Sequence, residues 1–445
     1  MLSKRGGEGK RKAAEYFLAA MVFIVFLIII YRIHIPMEIV SDDAYNLEHG
    51  LNRSNVFEWI RDRFYSNGKF LTDGAALLLY LIPFNAWKVL DTLVYGVILF
   101  MLWRLFTDRS VVMLAICAGL EAAFPIFFLM RSAGYIATSA NYVYAVAALL
   151  LGMAPLVRTI RRESVSVLLF VLSLMGIIFS SNQDQTAMIA IGGFLMTGIL
   201  YFLKNKAHGK GLYRRVLAVS SVYFLISLAA YILMFLTPGH IARMKSTAEM
   251  EYYLPQFAGW STGFKLYRGM ATTFAWLFFS QPVLLRLFCL ELLAVCCIRK
   301  TKAVIFPILL TAVLFVVSMQ DSSHFVIVHE YAYYMPDLKP VQTDPGGMIL
   351  SIVLLALMIL SVLALWRSDR DLCAWLVILN ILGFGSRFMM GFSATLYASS
   401  FRTFTPQLFC FMICCILLAG DFLDRLAVLT AKRLSFTHPQ RKKKT

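Results

Sequence analysis

Long apolar runs alternate with short charged breaks from one end of the chain to the other. A helix that crosses a bilayer needs about 20 consecutive, mostly apolar residues. Twelve stretches approach that length: 13–35, 87–106, 111–129, 141–157, 164–180, 187–203, 216–236, 279–298, 303–319, 347–366, 372–390 and 406–424. Two more, 71–84 and 263–278, are too short to cross comfortably and are expected to lie in the interface or to re-enter it. The pattern predicts an all-α fold, a polytopic transmembrane helix bundle of about twelve spans. The runs are evenly distributed, so 1–445 reads as a single transmembrane domain rather than several soluble ones. The first run follows Lys4, Arg5, Lys10, Arg11 and Lys12, is long for a signal-peptide core and has no A-x-A-like site after it. It is expected to stay as the first membrane helix.

The breaks set an orientation. With the N-terminus inside, the inner segments are 1–12, 104–109, 158–163, 204–215, 299–302, 367–371 and 425–445, and they hold 27 of the 42 Lys and Arg residues. That is the bias of cytoplasmic loops. An even number of spans returns the basic tail, 425–445, to the same side. The expected outer segments are 36–86, 130–140, 181–186, 237–278, 320–346 and 391–405. The segment 36–86 is read as a first outer loop carrying interfacial helices.

Composition narrows the classes. The chain is 60% hydrophobic and only 15% charged, against roughly 25% charged in soluble domains. Its net charge of +17 raises the question of nucleic acid. The positive residues lie between apolar runs rather than along one face, so no nucleic-acid partner is expected. All eight cysteines fall inside apolar segments without metal-ligand spacing and read as small hydrophobes. P-loop, nucleophile-elbow and dinucleotide fingerprints are absent from the sequence, which argues against nucleotide hydrolysis.

The polar chemistry gathers in the outer segments. Asp42 and Asp43 follow the first helix directly. Adjacent carboxylates need a cation, a positive substrate group or a shared proton. One of them could serve as a general base, and the pair has the chemistry to hold Mg or Mn; ordinary helix capping would also explain them. The turn Ser180–Thr186 is almost wholly polar and offers Asn182, Gln183 and Asp184. Asn141 and Tyr142 stand at the outer end of the fourth span, where they could hold sugar hydroxyls or belong to the interfacial belt. Arg131, Arg243, Lys245, Arg387 and Arg402 lie on the side where basic residues are scarce. Arginine binds phosphate bidentately, while snorkelling to headgroups is the plainer reading for any one of them. His240, His324, His329 and Glu330 complete the outer set, without zincin spacing.

This order of motifs resembles the GT-C superfamily of integral-membrane glycosyltransferases, in which a cytoplasmic N-terminus and one helix lead into a long outer loop opening with an acidic pair. It is similar in particular to bacterial GT-C-like membrane proteins, through Asp42-Asp43, Asn67-Gly68-Lys69-Phe70, Ser139-Ala140-Asn141-Tyr142, the polar turn at Ser181–Gln185 and Phe401-Arg402-Thr403-Phe404. The resemblance implies a polyprenyl-phosphate sugar as donor, used at the outer leaflet of a bacterial cytoplasmic membrane, with membrane lipid and a cell-surface glycan or glycolipid as the other partners. Asp42 or Asp43 would then act on the acceptor hydroxyl, and Arg387, Arg402, Arg243 and Lys245 would bind the donor phosphate. Asn141, Tyr142, Asn182, Gln183, Asp184, His240 and His329 would hold sugar or acceptor. The chain lacks a W-W-D signature and a large C-terminal soluble domain, so protein N-glycosylation is not expected. A flippase or transporter of a lipid-linked glycan, and a polysaccharide polymerase or ligase, remain the rivals; Glu121, followed by Pro125, is the transporter-like feature.

Overall fold

The structure, a computed structural model, describes residues 2–49, 51–123, 134–204, 210–280, 283–319 and 345–437. Every regular element among them is helical. In chain order these are α1 (Leu2–His34), α2 (Asp42–Glu48), α3 (Val56–Ser66), α4 (Phe70–Leu79), α5 (Phe84–Phe106), α6 (Val111–Ala122) and α7 (Tyr135–Ile160). They are followed by α8 (Val167–Ser180), α9 (Asp184–Leu203), α10 (Lys210–Phe235), α11 (Pro238–Lys245), α12 (Thr247–Tyr253) and α13 (Thr262–Phe274). The last are α14 (Val283–Ile298), α15 (Ile305–Met319), α16 (Pro345–Leu363), α17 (Arg370–Phe388) and α18 (Thr405–Thr437).

The apolar runs become helices because a water-poor surround leaves backbone groups no partner except one another. Polar residues mark where they start. The side chains of Ser110, Ser166 and Gln183 accept from Met113 N (3.3 Å), Leu169 N (3.2 Å) and Thr186 N (2.8 Å) and so open α6, α8 and α9. Eight described helices are long and apolar enough to cross a membrane. Large apolar side chains face outward along them, among them Phe17, Leu203, Leu225, Leu233 and Ile349, which is stable only against lipid. The chain is a helical membrane bundle.

Several expected spans take another form. The stretch 111–129 is the short helix α6, with 124–133 outside the described residues. The stretches 164–180 and 303–319 become the shorter α8 and α15. The expected 279–298 starts at Val283, and α13, prolonged by a π-helical turn over Ala275–Ser280, meets it at a sharp bend. The stretch 71–84 yields the short α4.

Neighbouring helices pack α7 on α8, α9 on α10 and α17, α18 on α14 and α17, and α1 on α5 and α6. At one end of the bundle the basic breaks are tied down. Glu163 pairs with Arg109 and Arg158, Arg161 donates to the Arg104 and Thr107 carbonyls, and Arg299 bridges Asp369 and Asp421. The opposite end, where α1 and α17 finish and α7, α9 and α18 begin, carries α2–α4 and α11–α13, and with them the candidate chemistry.

Candidate functional site

The two adjacent aspartates have different surroundings. Asp43 is fully buried. Its carboxylate accepts from the Ile136 and Ala137 amides (3.0 and 3.1 Å) and from the Tyr80 hydroxyl (2.8 Å), so it caps the start of α7. Gly134 allows this. Its φ is +87°, and a Cβ there would run into the Asp43 carboxyl. Burial raises the Asp43 pKa, against the pull of these hydrogen bonds, and burial likewise keeps the Tyr80 hydroxyl protonated as a donor.

Asp42, one residue earlier, stays accessible. Its charge is felt by Arg402, Arg63 and Asp73. The protein packed around it raises its pKa; the two arginines oppose that rise and Asp73 adds to it. Arg63 is aimed by the Asn46 amide oxygen (3.1 Å), and the Asn46 amide nitrogen is fixed by the Asp42 carbonyl (2.7 Å) and the Tyr80 hydroxyl (3.3 Å). An accessible carboxylate with a raised pKa, held next to cations, can take a proton from a hydroxyl. The expected joint metal site does not fit this geometry. Both Asp43 oxygens already accept from fixed donors, and no group of three metal-ligating side chains assembles among the described residues.

The short motifs meet in one framework. Asp73 accepts from Asn67 and from Asn141 (2.9 Å), and Asn141 accepts from Thr72 (2.8 Å). Asn182 accepts from the Leu71 and Thr72 amides (2.9 and 3.2 Å), capping α4 from 110 residues away. Lys69 and Asp184 pair at 2.6 Å, and Arg243 donates to the Asn67 side chain (2.8 Å). Gln183 is a buried cap of its own helix, α9. His240 lies with its ring 4.8 Å from that of Phe235, and burial lowers its pKa. Asn141, Asn182, Gln183 and Asp184, expected at a sugar, therefore also hold the protein's own loops together. Tyr142 is half-buried beside Asn141, and Lys245 is exposed at the end of α11. His329, with His324, Glu330 and Arg131, lies outside the described residues. Asn182→Ala should lower stability by about 1 kcal/mol through the lost cap, read by thermal unfolding in detergent.

A second, more deeply buried group adjoins the first. Arg387, 2% exposed in the last turn of α17, sets its guanidinium 4.3 Å from the centre of the Phe404 ring. Arg268 of α13, equally buried, lies 5.5 Å from Trp260 and from Phe264. The Tyr397 hydroxyl faces both guanidinium groups. Gln185 ties the two groups together, since its amide donates to the Ser386 carbonyl (3.2 Å) and the Thr403 carbonyl (2.6 Å) on either side of Arg387 and Arg402. Arg402 has a buried nitrogen, Nη1, without a hydrogen-bond partner.

What brings Arg268 and Arg387 together is backbone contact. A Cβ on Gly269 would overlap the Phe388 carbonyl, and one on Gly391 the Lys265 carbonyl. Gly269→Ala or Gly391→Ala must push α13 away from the end of α17. Each should lower stability by roughly 1–3 kcal/mol and displace both arginines, measurable as a lower unfolding temperature together with lost ligand affinity.

Sequence reasoning passed over Arg63, Tyr80, Arg268 and Tyr397, and gave Gln185 no role beyond its place in the polar turn. Arg268 was the most findable, a charge set among Trp260, Phe264, Tyr267 and Phe274. No family model matches the chain, and neither a curated protein nor a solved structure is similar to it.

Proposed function

We propose that this protein is a GT-C-type glycosyltransferase, a bundle of about twelve spans that moves a sugar from a polyprenyl-phosphate donor to a cell-surface glycan or glycolipid. The N- and C-termini lie in the cytoplasm and the site opens on the outer face of a bacterial cytoplasmic membrane. The observation that carries this reading is the accessible Asp42 carboxylate under the charge of Arg402 and Arg63, with the Arg402 segment tied through Gln185 to the end of α17 that carries Arg387.

The chemistry divides between the two groups. Asp42 accepts the proton of the acceptor hydroxyl as that oxygen bonds to the anomeric carbon. The bond from that carbon to the phosphate oxygen breaks, and the phosphate leaves with the electron pair. Arg402 and Arg387 neutralise the charge that develops on it. The donor stays in the membrane, so no nucleotide site is needed. Aromatic rings beside the arginines, Trp260, Phe264 and Phe404, exclude water and strengthen that interaction.

The test is sugar transfer by purified protein in lipid, from a panel of radiolabelled polyprenyl-phosphate sugars to envelope glycolipid extracts. Transfer of label from one donor of the panel is the expected result. Use of none of them, by protein shown to be folded, would sink the proposal and leave the transporter reading, to which the ionisable groups inside the bundle lend support.

A further inference from the structure

Three ionisable side chains lie inside the bundle, away from the site above: His34 at the end of α1, Asp91 on α5 and Glu121 on α6. All three are fully buried. Charged or chargeable groups in membrane helices are costly to keep and mark function more often than packing.

Their protons can be counted from geometry. His34 Nδ1 lies 2.8 Å from the Ile30 carbonyl, which can only accept, so Nδ1 carries a hydrogen. His34 Nε2 lies 2.7 Å from Asp91 Oδ2, and that contact needs a second hydrogen, on the imidazole or on the carboxyl. The pair therefore holds one proton more than a neutral imidazole beside a carboxylate. Glu121 has no hydrogen-bond partner at either oxygen. A carboxylate in that position would be a bare charge in an apolar surround, so the group is held as the neutral acid.

The space between them is lined by groups that can pass a proton. The Tyr95 hydroxyl faces Asp91, Glu121 and Tyr144. The Tyr95 hydroxyl is buried without a hydrogen-bond partner, while the Tyr144 hydroxyl interacts with Asp91 and Trp87. The other ionisable neighbours are Lys88, whose ammonium donates to the Ile35 carbonyl (2.9 Å), and Cys117, which faces Glu121. The cluster lies in the half of the bundle nearest the candidate site. His34 ends α1, and Asp91 is seven residues, about 10 Å, along α5 from Phe84.

We propose that His34, Asp91 and Glu121 form an exchangeable proton-binding site within the bundle, with the proton as its ligand. The Glu121 carboxyl and the His34–Asp91 pair each hold a proton that can leave and return. A metal ion is not the ligand, because these side chains do not converge as a metal-holding group. The inference is independent of sugar transfer.

Infrared spectra of the full-length protein in lipid, recorded across pH, test it. Wild type should show at neutral pH the carbonyl stretch of a protonated carboxylic acid in a water-poor setting. That band should weaken as pH rises, shift in heavy water and vanish in Glu121→Gln. Asp91→Asn should move its midpoint by about one pH unit, a tenfold change in proton affinity. A band that neither pH nor heavy water alters would mean a sealed structural carboxyl and overturn the proposal. So would spectra in which folded Glu121→Gln matches wild type. Should that variant fail to fold, the heavy-water shift in wild type decides alone.

Discussion

Asp42→Asn should lower sugar transfer by about 10²–10⁴-fold, the usual worth of a positioned general base, and leave thermal unfolding where it is in wild type. Its accessible carboxylate holds no described element in place; the Asp42 group that does structural duty is the backbone carbonyl, which holds Asn46. Asp43→Asn should do something different. The amide keeps one acceptor oxygen but turns an NH₂ toward a helix start that presents N–H groups, so a buried donor of α7 is left unmet. That costs about 1–3 kcal/mol and should appear as a lower unfolding temperature and poorer expression. Equal activity in wild type and folded Asp42→Asn would remove Asp42 from the mechanism.

The pH profile follows from the same residue. Asp42 acts as a base only when ionised, and burial raises its pKa above the ordinary carboxylate value. Transfer should therefore rise with pH through that raised value, and the limb should disappear in Asp42→Asn. Asp43 also has a raised pKa in the folded state. Its linkage favours folding below the unfolded-state value, about 3.9, and that contribution is lost as pH rises through the folded value. Charging Asp43 therefore opposes folding, and its hydrogen bonds limit the penalty.

The helical architecture was legible because lipid imposes a one-dimensional rule, an apolar run of sufficient length. The rule fails where runs are short or bent. The stretch 164–180 gave only the short α8, and 263–278 continued α13 into a π turn. The candidate motifs were legible as polar residues in expected outer segments, but their partners were not. The carboxylate of Asp43 is answered 93 residues later by Ile136, and Asn182 reaches back 111 residues to Leu71. Local pattern carries no information about such lateral neighbours. For the same reason nothing in the sequence pairs His34 with Asp91, which lie in apolar runs 57 residues apart and meet only through packing.

Arg387→Met should reduce transfer by about 10²–10³-fold, the loss seen when a donor aimed at developing charge is removed. Methionine is chosen because it is flexible and of comparable length. Thermal unfolding of the variant checks that it is folded before its kinetics are compared. That separates phosphate binding from mere packing against Phe404, which Met would preserve. Arg387→Lys keeps the charge but loses the planar fork, so it should fall between wild type and Met, and its stacking on Phe404 should weaken. Arg268→Met should behave like Arg387→Met, because Tyr397 faces both guanidinium groups and one anion could engage the two together. Kinetics of the three variants with a single polyprenyl-phosphate sugar, with kcat and KM read separately, test this. A loss in kcat marks an interaction made in the transition state, while a rise in KM alone marks simple donor binding. Full activity in folded Arg387→Met would place the leaving phosphate elsewhere, with Arg402 as the cation whose charge still acts on Asp42.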